Sequence, residues 1–416
     1  MEVVAGNAST RATLAPMIRR AHARLLAQLP SVTLIAIALA ACATKPPPTP
    51  VPAPVAVPSV PAPSPTAPAT SAPALPVPPQ LRDISAARAA FVSETAAKYD
   101  IAPLQIEAVL ARAQIRDSII AAMSRPAEAK PWRDYRPIFL TQQRITGGQA
   151  FLATHRDALA KVEAQYGVPA EIIVAILAVE TNLGGNTGKY PVIDALYTLA
   201  FNYPRTGDPA KHARENMREA FFRDELGQLF ALGKETGLDI ATLTGSYAGA
   251  MGWGQFMPSS YRAYAVDGNG DGRRDLFNSL DDVFASVANY FAKKGGWVRG
   301  APVMVNADFT PGSSTPIELE GLPVHTLDAL TQAGFKAREP LPAGITAAAI
   351  RLEGEGGDEF WLTFQNFRAI WTYNNSIRYA TAVYQLGEEI AGRGPAMSPG
   401  PILPPPVAAP AGQPGA

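Results

Sequence analysis

The chain has 416 residues and 40 of them are proline, about twice the usual share of roughly 5%. Fifteen prolines fall between Ala43 and Gln80 and eight between Pro395 and Ala416, so the folding part lies between about Leu81 and Gly394, long enough to bury one large core or two joined ones. Lysine plus arginine and aspartate plus glutamate are both 36, which argues against nucleic acid as a partner; the one cysteine excludes an internal disulfide framework, and four scattered histidines offer no HExxH-type metal helix.

In chain order, Arg11, Arg19, Arg20 and Arg24 precede an apolar run from Val32 to Ala41 that is too short to span a bilayer but has the length of a signal-peptide core. Met17 is an alternative start, because Met17 to Ala41 alone keeps the basic, apolar and small-residue order. The run ends in Leu39-Ala40-Ala41-Cys42, which resembles the lipobox of bacterial lipoproteins, where the cysteine is lipidated and becomes the first mature residue. Ala43 after the cysteine, where an aspartate would retain the protein, directs this reading to the periplasmic face of the outer membrane. Residues 42–80 read as the lipidated cysteine and an extended, polyproline-like tether, and 394–416 as a second Pro-rich, disordered tail.

The region between reads as mainly helical with minor β structure. Helices are expected over Ile84 to Tyr99, Pro103 to Met123 and Leu152 to Tyr166, with Leu104, Ile106, Val109 and Leu110 at helical spacing in the second. Val168-Pro169-Ala170-Glu171 opens a helix whose residues Ile172 to Val179 are apolar on every face, the mark of a buried helix, and Gly184-Gly185 are expected to stop it. Further helices are expected over Val192 to Phe201, Ala213 to Gly233, Leu280 to Lys293 and Tyr379 to Ala391, with short strands between Met304 and Leu352.

Two places carry chemistry. Glu180 ends the apolar helix, with Leu177, Ile176 and Ile173 beneath it, so its carboxyl either projects from an apolar stripe, where burial would raise its pKa toward that of a general acid, or points to water from the last turn. The second is the block from Gly245 to Tyr261. Its glycines do not match a dinucleotide fingerprint, and its Ser246, Tyr247, Trp253, Gln255 and Phe256 suit either a tight hairpin lining a sugar groove or a Gly-rich turn packed into the core.

Val168 to Ile173 with Val179-Glu180-Thr181, Asp194-Ala195-Leu196, Phe201-Asn202-Tyr203-Pro204-Arg205, the Gly245 to Tyr261 block, and Val287 to Phe291 come in the order found in the membrane-bound lytic murein transglycosylase B family, which this sequence resembles from about Pro103 to Gly300 and again from Asn366 to Leu386. The resemblance implies a lysozyme-like helical core with added helical and small mixed modules over residues 81–393, acting on the peptidoglycan glycan strand. It implies Glu180 as the single catalytic acid/base, Ser246 as a hydrogen-bond partner near it, and Gln255, Tyr373, Asn374 and Tyr379 as groove residues. Asn182-Leu183 and Pro204-Arg205-Thr206-Gly207 depart from the family pattern, which bears on groove contacts and not on the acid. Asp194 is the nearest acidic rival and is expected to be structural.

The implied reaction joins the C6 hydroxyl of N-acetylmuramic acid to its own C1, leaving a 1,6-anhydro end and needing one carboxylate, where a water-using hydrolase needs two. A water-using muramidase and a non-catalytic peptidoglycan-binding lipoprotein are the alternatives. No cofactor is expected for the chemistry. Membrane contact is expected through the lipid anchor alone, and cell-wall synthesis or division proteins are candidate partners.

Asp267, Asn269, Asp271 and Asp275 hold positions 1, 3, 5 and 9 of an EF-hand spacing, with Gly272 at 6 and Arg273 at 7, where such a loop offers a backbone carbonyl. Position 12 is Asn278, and the family's longer loop implies Asp282 as the closing ligand, or Asp281 if the loop is one residue shorter. Residues 267–282 therefore read as a structural calcium loop or as a turn whose Ser279 and Asp282 cap the next helix.

Overall fold

The structure, a computed structural model, describes residues 83–124, 130–311 and 322–394. The signal segment, Cys42, the Pro-rich tether and the tail lie outside the described residues.

The described chain opens with six helices: α1 (Ser85–Tyr99), α2 (Pro103–Leu110), α3 (Asp117–Met123), α4 (Trp132–Phe139), α5 (Gln142–Thr154) and α6 (Arg156–Tyr166). The helix expected over 103–123 is thus two, and the cause lies 80 residues away. The backbone N–H of Gln114 donates to Asp194 Oδ1 at 2.9 Å, that of Arg116 donates to Thr198 Oγ1 at 3.0 Å, and the Arg116 guanidinium donates to Asp194 Oδ2. A carboxylate that is 3% exposed must be met by donors, and the chain leaves helical geometry between α2 and α3 to supply them. The helix expected over 152–166 is likewise broken, at His155 (φ −107°, ψ 19°), whose ring packs 4.3 Å from that of Phe151.

Next come α7 (Ala170–Thr181), β1 (Tyr190–Pro191), α8 (Val192–Phe201) and α9 (His212–Thr236). Every residue from Ile172 to Ala178 in α7 is buried, as its all-round apolar sequence requires, and so is every residue of α8. The Gly184-Gly185 pair does not stop α7. Asn182 (φ 52°) and Leu183 (φ 57°) turn left-handed first, their N–H groups donating to Ala178 O at 3.2 Å and Leu177 O at 3.0 Å. Asparagine tolerates that region, whereas leucine there costs on the order of 1 kcal/mol.

The rest comprises β2 (Thr244–Gly245), α10 (Pro258–Tyr264), α11 (Leu280–Lys293), β3 (Met304–Phe309), β4 (His325–Thr326), α12 (Leu327–Gln332), β5 (Phe335–Ala337), β6 (Thr346–Gly354), β7 (Gly357–Thr363), α13 (Gln365–Asn374) and α14 (Ile377–Ile390). The strands expected between 304 and 352 belong to a five-stranded antiparallel sheet of order β4-β6-β7-β3-β5, which also takes in the unforeseen β7. Period-two alternation splits β6 between two cores: Ala347 and Ala349 join Phe335, Leu362 and Phe364, while Ile350 and Leu352 join the main helical core with Trp361. In that main core α5, α6, α11 and α14 pack around α7. The expected mainly helical fold with minor β is what the described residues form.

Candidate active site

Glu180 is the penultimate residue of α7 and stands on Ile173, Ile176 and Leu177, all fully buried. Its Oε1 accepts a hydrogen bond from the hydroxyl of Tyr379, on the first turn of α14 and 2% exposed. Part of the residue's surface remains open, while its carboxyl is packed about by the protein. That burial pushes the carboxyl up to about 7, against the smaller downward pull of the Tyr379 hydroxyl. Near neutral pH it can therefore hold a proton to give and afterwards stand as a carboxylate to take one.

The opposing wall is built of tyrosines. Burial, and then the charge of Glu180, raise the hydroxyls of Tyr373 and Tyr379 well above the usual tyrosine value, so both stay protonated as donors. Tyr373 donates to Gly254 O at 2.7 Å, and Tyr290 donates to Thr372 O at 2.8 Å with its ring 4.9 Å from that of Tyr373. Asn374 is exposed at the end of α13, and Asn375 (φ 48°) turns the chain into α14, where Ser376 Oγ accepts from the N–H of Tyr379 at 3.3 Å.

The Gly245 to Tyr261 block is a set of tight bridges, Tyr190 with Gly245, Gly245 with Met251, and Met251 with Phe256. Ser246 Oγ accepts from the N–H groups of Ala250 (3.1 Å) and Ala248 (3.3 Å), so its recorded bonds lie within its own turn and not on Glu180. Gln255 sits at φ 50° and its amide donates to Thr187 O and Gly252 O, both at 3.0 Å. The rings divide. Phe256 is 2% exposed and belongs to the core, Trp253 packs on Phe151 and over Gly184 with its indole N–H donating to Phe277 O at 3.1 Å, and only Tyr247 is exposed.

Several positioning groups gave no signal in the sequence spacing. Thr181 Oγ1 accepts from the N–H of Gly184 at 3.0 Å and lies 3.0 Å from Trp253 O, tying the end of α7 to the hairpin. The Arg144 guanidinium donates to Ala178 O at 3.0 Å and to Ile138 O and Phe139 O at 2.8 Å, clamping the last turn of α7 to the end of α4. Among the described residues, three of the buried carboxylates are occupied elsewhere: Asp194 as described, Glu215, 6% exposed, by the N–H (2.9 Å) and hydroxyl (2.7 Å) of Thr206, and Glu225, 3% exposed, by the N–H (2.9 Å) and hydroxyl of Ser259 at the start of α10.

In the loop after α10, Asp267 accepts from the N–H groups of Gly270, Asp271 and Gly272, which hold its carboxyl below the usual aspartate range. The N–H of Asp271 donates to Asn269 Oδ1 at 3.0 Å and that of Arg273 to Asp271 Oδ1 at 2.8 Å. Asp282, fully buried, accepts from Gly268 N–H at 2.8 Å and Asp275 N–H at 2.7 Å, closing both ends of the loop, while Ser279 caps α11 by accepting from Asp282 N–H. Among the described residues no three His, Cys, Asp or Glu side chains converge as a metal-holding group.

The sequence pattern of a family described as the transglycosylase SLT domain matches residues 83–388. The chain belongs to this family. It is 37% identical over 312 residues to the membrane-bound lytic murein transglycosylase B of Escherichia coli (strain K12), covering 72% of this chain and 81% of that protein. The crystal structure of the soluble lytic transglycosylase SltB1 from Pseudomonas aeruginosa is 42% identical, with a TM-score of 0.64 over 73% of this chain and 98% of that one. A third relative, the E. coli lytic transglycosylase Slt35 solved in complex with calcium, is 36% identical, with a TM-score of 0.64 over 73% of this chain and 92% of that one. The SLT-domain enzyme in hand therefore cleaves the glycan of peptidoglycan by transglycosylation, on the mainly helical, lysozyme-like fold of its relatives. That chemistry needs no cofactor.

Proposed function

We propose that Glu180 is the single acid/base of this cleavage, and the observation that carries the reading is its carboxyl pushed up to about 7 beneath the Tyr379 hydroxyl. The Glu180 proton passes to the oxygen between N-acetylmuramic acid and N-acetylglucosamine as the bond from that oxygen to muramic C1 breaks. The Glu180 carboxylate then takes the proton of the muramic C6 hydroxyl as O6 bonds to C1, which closes the 1,6-anhydro ring and returns the enzyme to its starting state. Tyr379 positions the carboxyl. Ser246, Gln255, Tyr373 and Asn374 line the groove, of which the exposed Tyr247 is the ring best placed to stack on a sugar. Because the free enzyme must start protonated, kcat/KM should fall about tenfold per pH unit above roughly 7, with anhydro ends as the product throughout. A rate rising through pH 8, or reducing ends among the products of digested sacculi, would refute the assignment.

The loop at 267–282 is, in our reading, a structural calcium site. Asp267, Asn269, Asp271 and Asp282 with the Arg273 carbonyl are an all-oxygen set of the kind calcium takes, and the E. coli Slt35 structure is described with that ion. The ion would stiffen a loop whose Leu276 and Phe277 carbonyls accept from the backbone N–H (3.0 Å) and indole N–H (3.1 Å) of Trp253 in the hairpin. At a hundredfold excess over Kd it adds about 2.7 kcal/mol. Melting in millimolar calcium against chelator should show a midpoint higher by several degrees, abolished by Asp271→Ala; an unchanged midpoint leaves the loop as a capping turn.

We further propose anchoring through Cys42 to the periplasmic face of the outer membrane, supported by the lipobox-like run and by the membrane-bound description of the E. coli relative. Wild-type protein should incorporate labelled palmitate and fractionate with membranes, and Cys42→Ala should be soluble and active. A soluble, unlabelled wild type sinks the anchor.

A further inference from the structure

The backbone directly after Glu180 is strained. Asn182 (φ 52°), Leu183 (φ 57°) and Gly184 (φ 82°) are left-handed one after another, a conformation that glycine takes freely, asparagine tolerates and leucine resists. Strain of this kind persists only where the surroundings over-determine it, and it gathers at functional sites. One hydroxyl joins this turn to the hairpin. Thr181, 1% exposed, accepts the N–H of Gly184 at 3.0 Å, and its Oγ1 lies 3.0 Å from Trp253 O and 3.2 Å from Leu177 O. A hydroxyl has one proton to give, either back into its own helix at Leu177 O or across at Trp253 O. Leu177 O already accepts from the N–H of Leu183 at 3.0 Å, whereas no other hydrogen bond among the described residues reaches Trp253 O, so the proton belongs to the hairpin. Trp253 is itself fixed. Its backbone N–H donates to Leu276 O at 3.0 Å, its indole N–H to Phe277 O at 3.1 Å, and its ring lies where a Cβ on Gly184 would stand.

We propose that Thr181 is a positioning residue for the cleavage: its hydroxyl fixes the end of α7 to the hairpin that carries Ser246 and Gln255, and so sets where the Glu180 carboxyl stands relative to those groups. The proposal rests on Glu180 being the acid. Tyr379 steadies the carboxyl from α14, but it holds one oxygen at the tip of the side chain, while the backbone at its root is held by the neighbouring residue. Without the Thr181 hydroxyl, the N–H of Gly184 and the carbonyl of Trp253 both lose a partner at a buried junction. Unpaired polar groups in such a place draw in water or pull apart. Either change opens the surroundings of Glu180, whose proton is kept by burial.

The test separates the hydroxyl from the bulk of the side chain. Thr181→Val keeps the shape and loses the hydroxyl; Thr181→Ser keeps the hydroxyl and loses the methyl. Corrected for the folded fraction, Thr181→Val should lower kcat about tenfold to a hundredfold with KM within about threefold of wild type. It should also move the alkaline limb of kcat/KM down by about one pH unit, and Thr181→Ser should restore both. The Glu180 carboxyl can be titrated without turnover through the infrared C=O band that Glu180→Gln lacks, and its midpoint should fall by the same amount in Thr181→Val. If the valine does not fold, Thr181→Ala carries the same expectations. A limb and band that stay in place, a serine variant as slow as the valine, or failure of both Thr181→Val and Thr181→Ala to fold would overturn the proposal and leave Thr181 as a packing residue. The infrared midpoint reads the junction even if Glu180 proves not to be the acid, a failure that would show instead as turnover persisting in Glu180→Gln.

Discussion

Glu180→Gln should fold, bind sacculi and release anhydromuropeptides at least about 10³-fold more slowly than wild type, measured by chromatography of digested sacculi. General acid and general base catalysis are each worth roughly 10² to 10⁴, and both fall on this one side chain. Glutamine keeps the shape and can accept from Tyr379 as the carboxyl does, but it has no proton to give and no charge with which to take one back. Asp194→Asn is the control. It weakens the bonds from Gln114 and Arg116 that hold the α2–α3 break, so it should lower the melting midpoint while each folded molecule keeps most of its turnover. Should Asp194→Asn be as dead as Glu180→Gln, a two-carboxylate hydrolase becomes the better account. Stability offers a second readout. The folded carboxyl is raised from 4.5 to about 7, so the fold favours its neutral form, and the stability this gives is complete below the unfolded value and lost as pH rises through 7. Glutamine pays no such penalty. Discounting for the residue's partial exposure, Glu180→Gln should be more stable than wild type by about 1–3 kcal/mol at pH 8 and equal to it at pH 4.

The proposed acid was legible as a candidate because its surroundings are local. Ile173, Ile176 and Leu177 reach it through helical periodicity, which a single sequence carries. Its partner was not, since Tyr379 lies 199 residues on and no spacing rule joins the two; it entered only through the family resemblance. The same limit explains the misplaced helix ends. Nothing in residues 103–123 announces that Gln114 and Arg116 will donate to Asp194 and Thr198, and that tertiary demand outweighs helix propensity. Gly184-Gly185 looked like the stop of α7, yet Asn182 and Leu183 make the left-handed turn, held by Thr181 against the hairpin. In the Gly245 block the glycines pointed rightly to tight backbone, but which ring is core and which faces solvent depended on Tyr290 and Tyr373, contributed by other helices. The loop at 267–282 sits between these cases. Its turn residues were readable from their spacing, whereas Asp282 as closing ligand came only from the family pattern; the structure shows it buried and accepting from the N–H groups of Gly268 and Asp275.

Gly188→Ala should do the most damage of any single methyl added near the groove. Gly188 has φ +96°, and a Cβ there would stand 2.1 Å from both the carbonyl carbon and the oxygen of Gly245 and 2.6 Å from the nitrogen of Ser246. All three are backbone atoms, so no rotamer change relieves the contact. Gly245 cannot retreat freely either, because its own Cβ position is 2.2 Å from Ala250 O. The segment 187–188 must therefore separate from the turn that holds Ser246, and Thr187 O is also an acceptor for the Gln255 amide, so both groove residues move together. Overpacking costs typically 1–3 kcal/mol and left-handed backbone about 1 more. A displacement near 1 Å can cost about a hundredfold in rate. The comparison is Gly207→Ala, where φ is +76° but nothing lies within 4 Å of the added carbon, so only the backbone cost of about 1 kcal/mol applies. Denaturant melts and kcat/KM on both variants should give a loss of about 2–4 kcal/mol with a roughly hundredfold slower enzyme for Gly188→Ala, and a small stability loss with near wild-type turnover for Gly207→Ala. If the two variants behave alike, the close approach of residue 188 to the hairpin is not what sets the groove.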